Sequence, residues 1–409
     1  MHYEGFELTY CSNIHPAEGW PDVSDQLRAH APQLKKRIAP NKPFGLGLRL
    51  SARESIQLLK EEALSQFRTF LNAEGLYVFT LNGFPYGPFH GGPVKSAVFA
   101  PDWRREARVR YTLRLIKILE ALLPEGGEGG ISTVPLSYKP WVPAGNEKSW
   151  EEIVRNLVRV AESLVSVDRE KGKEIHLDLE PEPDGLIESG LEAVQFFENR
   201  LWPVGGKILS QKLHVDVKEA RRLLQKHIAI CLDTSHMAVV GETAEVIDRY
   251  LQSGARIGKV QISTAMAVSI PEGAAQREII GGLLGPFADA TYLHQVSERG
   301  CGGEARRYPD LIQLLPQIRS AAPSEWRIHF HLPLDFSSKG PIRSTSEVTE
   351  GVLQRLTSDR FTRHLEIETY TWSVLPDDLK GDLVESIERE YRWTMNRLKP
   401  APASLQEKP

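Results

Sequence analysis

The feature that most limits the fold is a rhythm: short apolar runs of strand character alternate with longer stretches of helical period along most of the chain. Strand candidates lie at 6–14, 44–51, 76–82, 130–137, 174–180, 228–233, 257–264, 326–333 and 364–371. Between the second and third, SARESIQLLKEEALSQFRTFLNA opens on Ser51 with Glu54 three residues later, a capping-box pattern, and repeats Leu, Ile and Phe at helical spacing. Similar stretches cover about 103–123, 148–170, 187–201, 216–226, 243–253, 308–319, 345–357 and 376–397. This order predicts an α/β fold with a parallel sheet covered by helices.

A doubly wound open sheet and a closed (β/α)8 TIM barrel both satisfy the rhythm, so the choice rests on where the polar residues fall. An open sheet gathers its ligands at one switch point, whereas a barrel collects them from many strand C-ends onto one face. Here they follow many strands, and the glycine-rich EGGEGG at 125–130 precedes a strand instead of opening a helix. The barrel is favoured. Nine candidates for eight strands leave one excursion, expected between the last two barrel strands at about 265–345, with the 326–333 run inside it. Residues 1–398 are expected to form a single barrel domain, and the Pro-rich polar tail 399–409 to be disordered.

Fifty Lys and Arg against 54 Asp and Glu leave a net charge of −4, which argues against a nucleic-acid partner and points to a small molecule or another protein. Three cysteines, Cys11, Cys231 and Cys301, form no closely spaced pair, as expected in a reducing compartment. The N-terminus has no signal-peptide pattern, and no run approaches the roughly 20 apolar residues of a membrane span. The expectation is a soluble, cytoplasmic protein.

Three runs carry metal-type ligands: His176-Leu-Asp-Leu-Glu-Pro-Glu182, Ile228 to His236, and His364-Leu-Glu-Ile-Glu-Thr-Tyr370. Alternation puts Leu177 and Leu179 on one face and Asp178, Glu180 and Glu182 on the other. A carboxylate is costly to bury unless paired or metal-bound, so acids at several strand ends ask for a cation. Glu180, nearer the barrel than Glu182, is the first candidate ligand. Asp233 and His236 form Asp-x-x-His where the sixth strand breaks, a spacing that also suits a turn cap. Glu366 and Glu368 share a face of the last strand, with Tyr370 and Trp372 beyond; Glu368 is the candidate ligand, and pairing of these acids with Arg360 or Arg363 is the structural alternative. In the 326–333 run Arg327, His329 and His331 alternate with Ile328, Phe330 and Leu332, so His331 and, less so, His329 are further candidates. Gln261, with Lys259 and Ser263 on the seventh strand, offers polar contacts. Asn13, His15, Asn82 and His90 are candidate substrate-binding groups, and Phe84, Tyr86 and Phe89 a candidate lid. Lys139 is either an anion contact or a solvated lysine.

In order along the chain, Glu180, Asp233 with His236, and Glu368 resemble the xylose isomerase-like barrel superfamily, which also carries a histidine on strand seven where this chain has Gln261. That departure leaves His331 as a replacement donor, or a metal bound more weakly, or altered catalysis. More closely, TYCSNIHPAEGW, GLYVFTLNGFPYG, CLDTSH, YLHQV and HLEIETYTWSVLP resemble the EboE family of metabolite traffic proteins. That resemblance implies a membrane prenyltransferase partner and a role in processing or delivering a precursor. The residues themselves fit a divalent-metal enzyme (Mn²⁺, Mg²⁺ or Zn²⁺) that isomerises or epimerises a small polyhydroxylated or hydroxy-carbonyl metabolite, with Glu180 and Glu368 as ligands and acid/base groups. A metal-dependent hydrolase, favoured by three or more histidines, and a non-catalytic carrier are the alternatives.

Overall fold

The computed structural model describes residues 1–90, 92–300 and 305–399. The tail expected from 399 lies outside them apart from Lys399, and so does Cys301.

Seven parallel strands follow the chain: β1 Phe6–Tyr10, β2 Phe44–Arg49, β3 Leu76–Asn82, β4 Glu128–Thr133, β5 Glu174–Leu179, β6 Ile228–Asp233 and β7 Ile257–Ile262. Strands β2 to β7 pair in that order, and the last barrel strand, His364–Ile367, lies between β7 and β1. The ring closes between β1 and β2 through a parallel bridge from Cys11 to Gly47, supported by the Thr9 hydroxyl, which donates to the Gly45 carbonyl at 2.9 Å. The fold is therefore a (β/α)8 barrel, with a two-residue strand His2–Tyr3 folded back on β1. Each connection carries a helix that buries an apolar stripe on the barrel: in Glu147–Lys171, Ile153, Leu157, Ala161 and Leu164 recur at helical spacing. The capping box at Ser51 is formed, with Ser51 Oγ accepting from the Glu54 amide at 3.2 Å and Glu54 Oε2 accepting from the Ser51 amide at 2.6 Å. The helix it starts ends at Leu58, and a second one runs over Glu61–Glu74, where a single helix was expected.

Between β7 and the last strand a second sheet is inserted: β8 Met266–Ile270, β9 Val296–Gly300, β10 Ala305–Tyr308, β11 Ser324–Ile328, β12 Ser338–Lys339 and β13 Ile342–Ser344, followed by the last barrel strand as β14. Its order is β10-β9-β11-β8-β13-β12, antiparallel throughout. The extra strand candidate, 326–333, begins in β11, so that apolar run belongs to this sheet and not to the barrel. After Ile328 the chain turns back to the barrel mouth, where the Leu332 amide donates to the Thr264 carbonyl at 3.0 Å. Trp326, Ile328, Phe330 and Val268 belong to the same buried core as the barrel strands. We propose on that ground that residues 1–398 form one domain.

The barrel interior is unusually polar. Lys259 Nζ meets Glu366 Oε2 at 2.7 Å and Ser132 Oγ at 3.1 Å, and His176 Nδ1 meets Asp178 Oδ1 at 2.6 Å, all fully buried. Lysine, and neither Arg360 nor Arg363, thus answers Glu366. Glycines make the room: a Cβ on Gly47 would collide with the Glu366 carboxylate and stand 2.7 Å from the Tyr10 carbonyl oxygen, and one on Gly258 would collide with Asp178. Backbone cannot move aside as a flexible side chain can, so Gly47→Ala is expected to lower stability by about 1–3 kcal/mol through overpacking. A urea midpoint unchanged from the parent would contradict this account of the interior.

Candidate metal centre

Three strand ends of the barrel and one crossing segment of the insertion build the site. Glu180 follows β5 directly, Asp233 ends β6 and caps the helix Thr234–Val240, and Glu368 follows β14. Asp233 Oδ1 accepts from the Ser235 amide at 2.7 Å, the His236 amide at 3.0 Å and Ser263 Oγ at 2.7 Å. The cap and the ligand readings of Asp-x-x-His are therefore compatible: one oxygen caps the helix, and the other, Oδ2, has no hydrogen-bond partner among the described residues. His236 is held by its Nδ1, 3.1 Å from the Pro181 carbonyl oxygen.

Segment 329–334 supplies the imidazoles. Phe330 and Leu332 pack into the core, which turns His329 and His331 the other way. His331 Nδ1 lies 2.6 Å from the Glu368 carbonyl oxygen, and its Nε2 is buried without a partner. His329 Nδ1 lies 2.7 Å from Gln295 Oε1, and its Nε2 is 3.1 Å from His236 Nε2. Glu390, on the C-terminal helix Leu383–Arg397, clips this segment to the barrel. Its Oε1 accepts from the Leu334 amide at 3.1 Å and the Thr369 hydroxyl at 2.6 Å.

A cavity open at its mouth lies over these groups. Asn13, Asn82, Glu180, Glu182, His236, His329 and Glu368 supply its polar lining, and Phe84, Pro85, Phe89, Val98 and Tyr370 its apolar wall. Asn13 Nδ2 and Asn82 Nδ2 both donate to Glu368 Oε1, at 2.8 and 2.7 Å, and so fix that carboxylate. Other expected site residues stand further off. His90 buttresses Asn13 from behind, with Nε2 2.7 Å from its carbonyl and Nδ1 2.9 Å from the Tyr292 hydroxyl. His15 faces a neighbouring crevice, paired with Tyr10 and stacked on His30. Gln261 sits inside the barrel, accepting from the Cys231 thiol at 2.8 Å. Tyr86 packs on Tyr111, away from the lid aromatics Phe84 and Phe89, and Lys139 is bound to Glu188 and Glu192, both at 2.9 Å. Gln295 and Glu390 carried no sequence signal, being lone polar residues whose partners come from remote segments.

Electrostatics agree with the geometry. Burial, reinforced by neighbouring carboxylates, pushes Glu180 and Glu368 well above the usual carboxylate range. Burial pushes Asp233 up as well, but His236, His331 and the Ser263 hydrogen bond outweigh it and hold that carboxyl down. Burial also lowers His236, and takes His331 down to about 4, so both rings favour the neutral form at pH 7. Clusters of ligand atoms lie within 4.8 Å of one another in Glu180–Asp233–His236, Asp233–His331–Glu368 and His236–His329–His331. The buried, unpartnered Glu180 Oε2, Asp233 Oδ2 and His331 Nε2 are the atoms a divalent cation would satisfy, so the residues present fit such an ion. A fourth set, Glu128, His176 and His364, sits at the opposite end of the barrel, where Arg256 already pairs with Glu128.

No family model matches the chain, and no curated protein matches it in sequence. Among solved structures it is similar to a xylose isomerase domain containing protein from Salmonella typhimurium, at 14% identity over 97% of this chain and 99% of that one, with a TM-score of 0.45. It is also similar to IolI protein with a binding zinc atom (12%, 96% and 98%, TM-score 0.47) and to a probable 3-DHS dehydratase, AsbF, from Bacillus anthracis (11%, 96% and 98%, TM-score 0.42). Likenesses this distant assign neither family nor activity.

Burial raises the Glu390 carboxyl to about 8, from an ordinary value of 4.5. A raised folded-state value favours the protonated carboxyl, so the stability it contributes is full below pH 4.5 and is lost as pH rises to about 8. Glu390→Gln keeps the accepting oxygen and removes the titration. Its melting temperature should therefore equal the parent's near pH 4.5 and exceed it above pH 8; a constant difference across that window would contradict the assignment.

Proposed function

We propose that the chain is a divalent-metal-dependent enzyme of the sugar isomerase and epimerase type, acting on a small polyhydroxylated or hydroxy-carbonyl metabolite. One observation carries this reading: buried ligand atoms on Glu180, Asp233 and His331, unpartnered among the described residues and from three distant parts of the chain, converge with Glu368 beside an aromatic wall. Glu180, Asp233, His236, His331 and Glu368 would hold the ion. When bound, it supplies Lewis-acid polarisation of a substrate carbonyl and acidifies the neighbouring C–H.

The protein's own groups do the rest. Glu180 and Glu368 come from β5 and β14, three places apart in the ring of eight strands, so a substrate carbon held between them would meet one carboxylate on each face. One removes the proton and the other returns a proton from the opposite face, which inverts the carbon; return to the adjacent carbon isomerises the substrate. Asn13 and Asn82 hold Glu368 in a single orientation through Oε1, leaving its second oxygen for this work. Phe84, Phe89 and Tyr370 limit water, which strengthens each charge interaction inside. The quoted sequence segments support membership of the EboE type and, with it, a cytoplasmic role on a precursor shared with a membrane prenyltransferase. No helix among the described residues is long and apolar enough to cross a membrane.

Three histidines at one site favour a second reading, in which the same centre activates water for hydrolysis.

Elemental analysis of protein purified without added metal should find at least one divalent ion per chain. Exchange of substrate C–H for deuterium across a panel of ketoses in heavy water should fall by at least about 100-fold in Glu180→Gln and Glu368→Gln. A folded, metal-free protein would overturn the proposal. Labelled solvent oxygen separates the two chemistries: incorporation into product by hydrolysis but not by isomerisation would move the assignment to a hydrolase.

A further inference from the structure

His236 and His329 meet Nε2 to Nε2, a contact that two neutral imidazoles make as a hydrogen bond only when one of them carries its proton on Nε2. Gln295 Nε2 donates to the Pro183 carbonyl at 2.9 Å, which turns Gln295 Oε1 toward His329 and places the proton of that ring on Nδ1. The Pro181 carbonyl, purely an acceptor, likewise places the His236 proton on Nδ1. Both Nε2 lone pairs then face each other across 3.1 Å, with the rings at 87°. His331 repeats the pattern, its Nδ1 tied to the Glu368 carbonyl and its Nε2 buried and unpartnered. Three rings anchored at Nδ1 by oxygen acceptors, with Nε2 left over, is the arrangement that orients histidines on a metal. The spacing fits too: nitrogens about 2.0–2.1 Å from zinc at a tetrahedral angle stand about 3.3 Å apart.

From this geometry we infer a second cation site, held by His236, His329 and His331 and selective for a nitrogen-preferring ion of the zinc class, beside a first ion on Glu180, Asp233 and Glu368. It rests on the proposed metal centre and divides that ligand set in two. One ring nitrogen from each histidine lies within 4.8 Å of the others, and His329 enters as a ligand of equal standing with His331. The insertion then does more than cover the barrel: it contributes two of the three ligands.

The test is a count. Full-length protein is stripped with chelator, saturated with Zn²⁺, desalted and analysed for bound metal, with circular dichroism confirming that each variant is folded. The parent should retain two zinc ions per chain, and His329→Gln and Glu368→Gln one each. One ion in both the parent and His329→Gln would overturn the second site, meaning that a proton is shared between the rings, and would leave the proposed centre standing. None in the parent would overturn both. X-ray absorption on the zinc-loaded parent gives a readout that needs no variant: outer-shell imidazole scattering from three rings is expected, and a shell of carboxylate oxygens alone overturns the inference.

Discussion

The constraint on which the rest of this structure depends is the burial of four carboxyl groups at the C-terminal mouth of the barrel. Glu180, Glu182, Asp233 and Glu368 are each at most 5% exposed, where an uncompensated carboxylate costs several kcal/mol. Hydrogen bonds absorb part of that cost: helix amides and Ser263 on Asp233, and two asparagine amides on Glu368. Lys259 is committed one layer deeper, to Glu366. The oxygens left over share one small volume, and the aromatic wall above them restricts the water that could otherwise solvate them.

The insertion is tied to that same problem. A barrel of this kind delivers side chains from strand ends, and its seventh strand here carries Gln261 next to its last residue, turned inward to Cys231. The inserted sheet returns its chain along Thr264, at the end of β7, and brings His329 and His331 into the vacant sector. Three fastenings hold it there: Leu332 on Thr264, Leu334 on Glu390 and the Thr371 hydroxyl on the His331 carbonyl. Each is a hydrogen bond in a buried setting, where misplacement would leave polar groups unpaired. The crossing segment is therefore rigid enough to place imidazoles accurately, as a free loop would not.

Much of this was legible along the chain, for a local reason. A buried strand alternates its side chains with period two, so acids interleaved with Leu177, Leu179, Leu365 and Ile367 had to face the barrel interior or mouth. Asp-x-x-His was legible because a strand end and the first turn of a helix are contiguous in sequence. His329 was underrated because alternation places both histidines on one face without indicating what that face meets. His15 and Gln261 looked equivalent to Asn13 and Asn82, and only packing separates them. Glu390 and Gln295 were invisible, since each works through a partner tens of residues or more away.

The sequence by itself determined the barrel, the location of the excursion and the set of carboxylates at strand ends, because periodicity and burial are local properties that the chain carries wherever it goes. Tertiary structure alone decided which imidazoles join those carboxylates, which asparagines hold Glu368, and that Lys259 serves Glu366 beneath the site. Those pairings depend on the closure of a ring of eight strands and on the path of an inserted sheet. No window of sequence encodes the distance between side chains that meet only after the ring is closed.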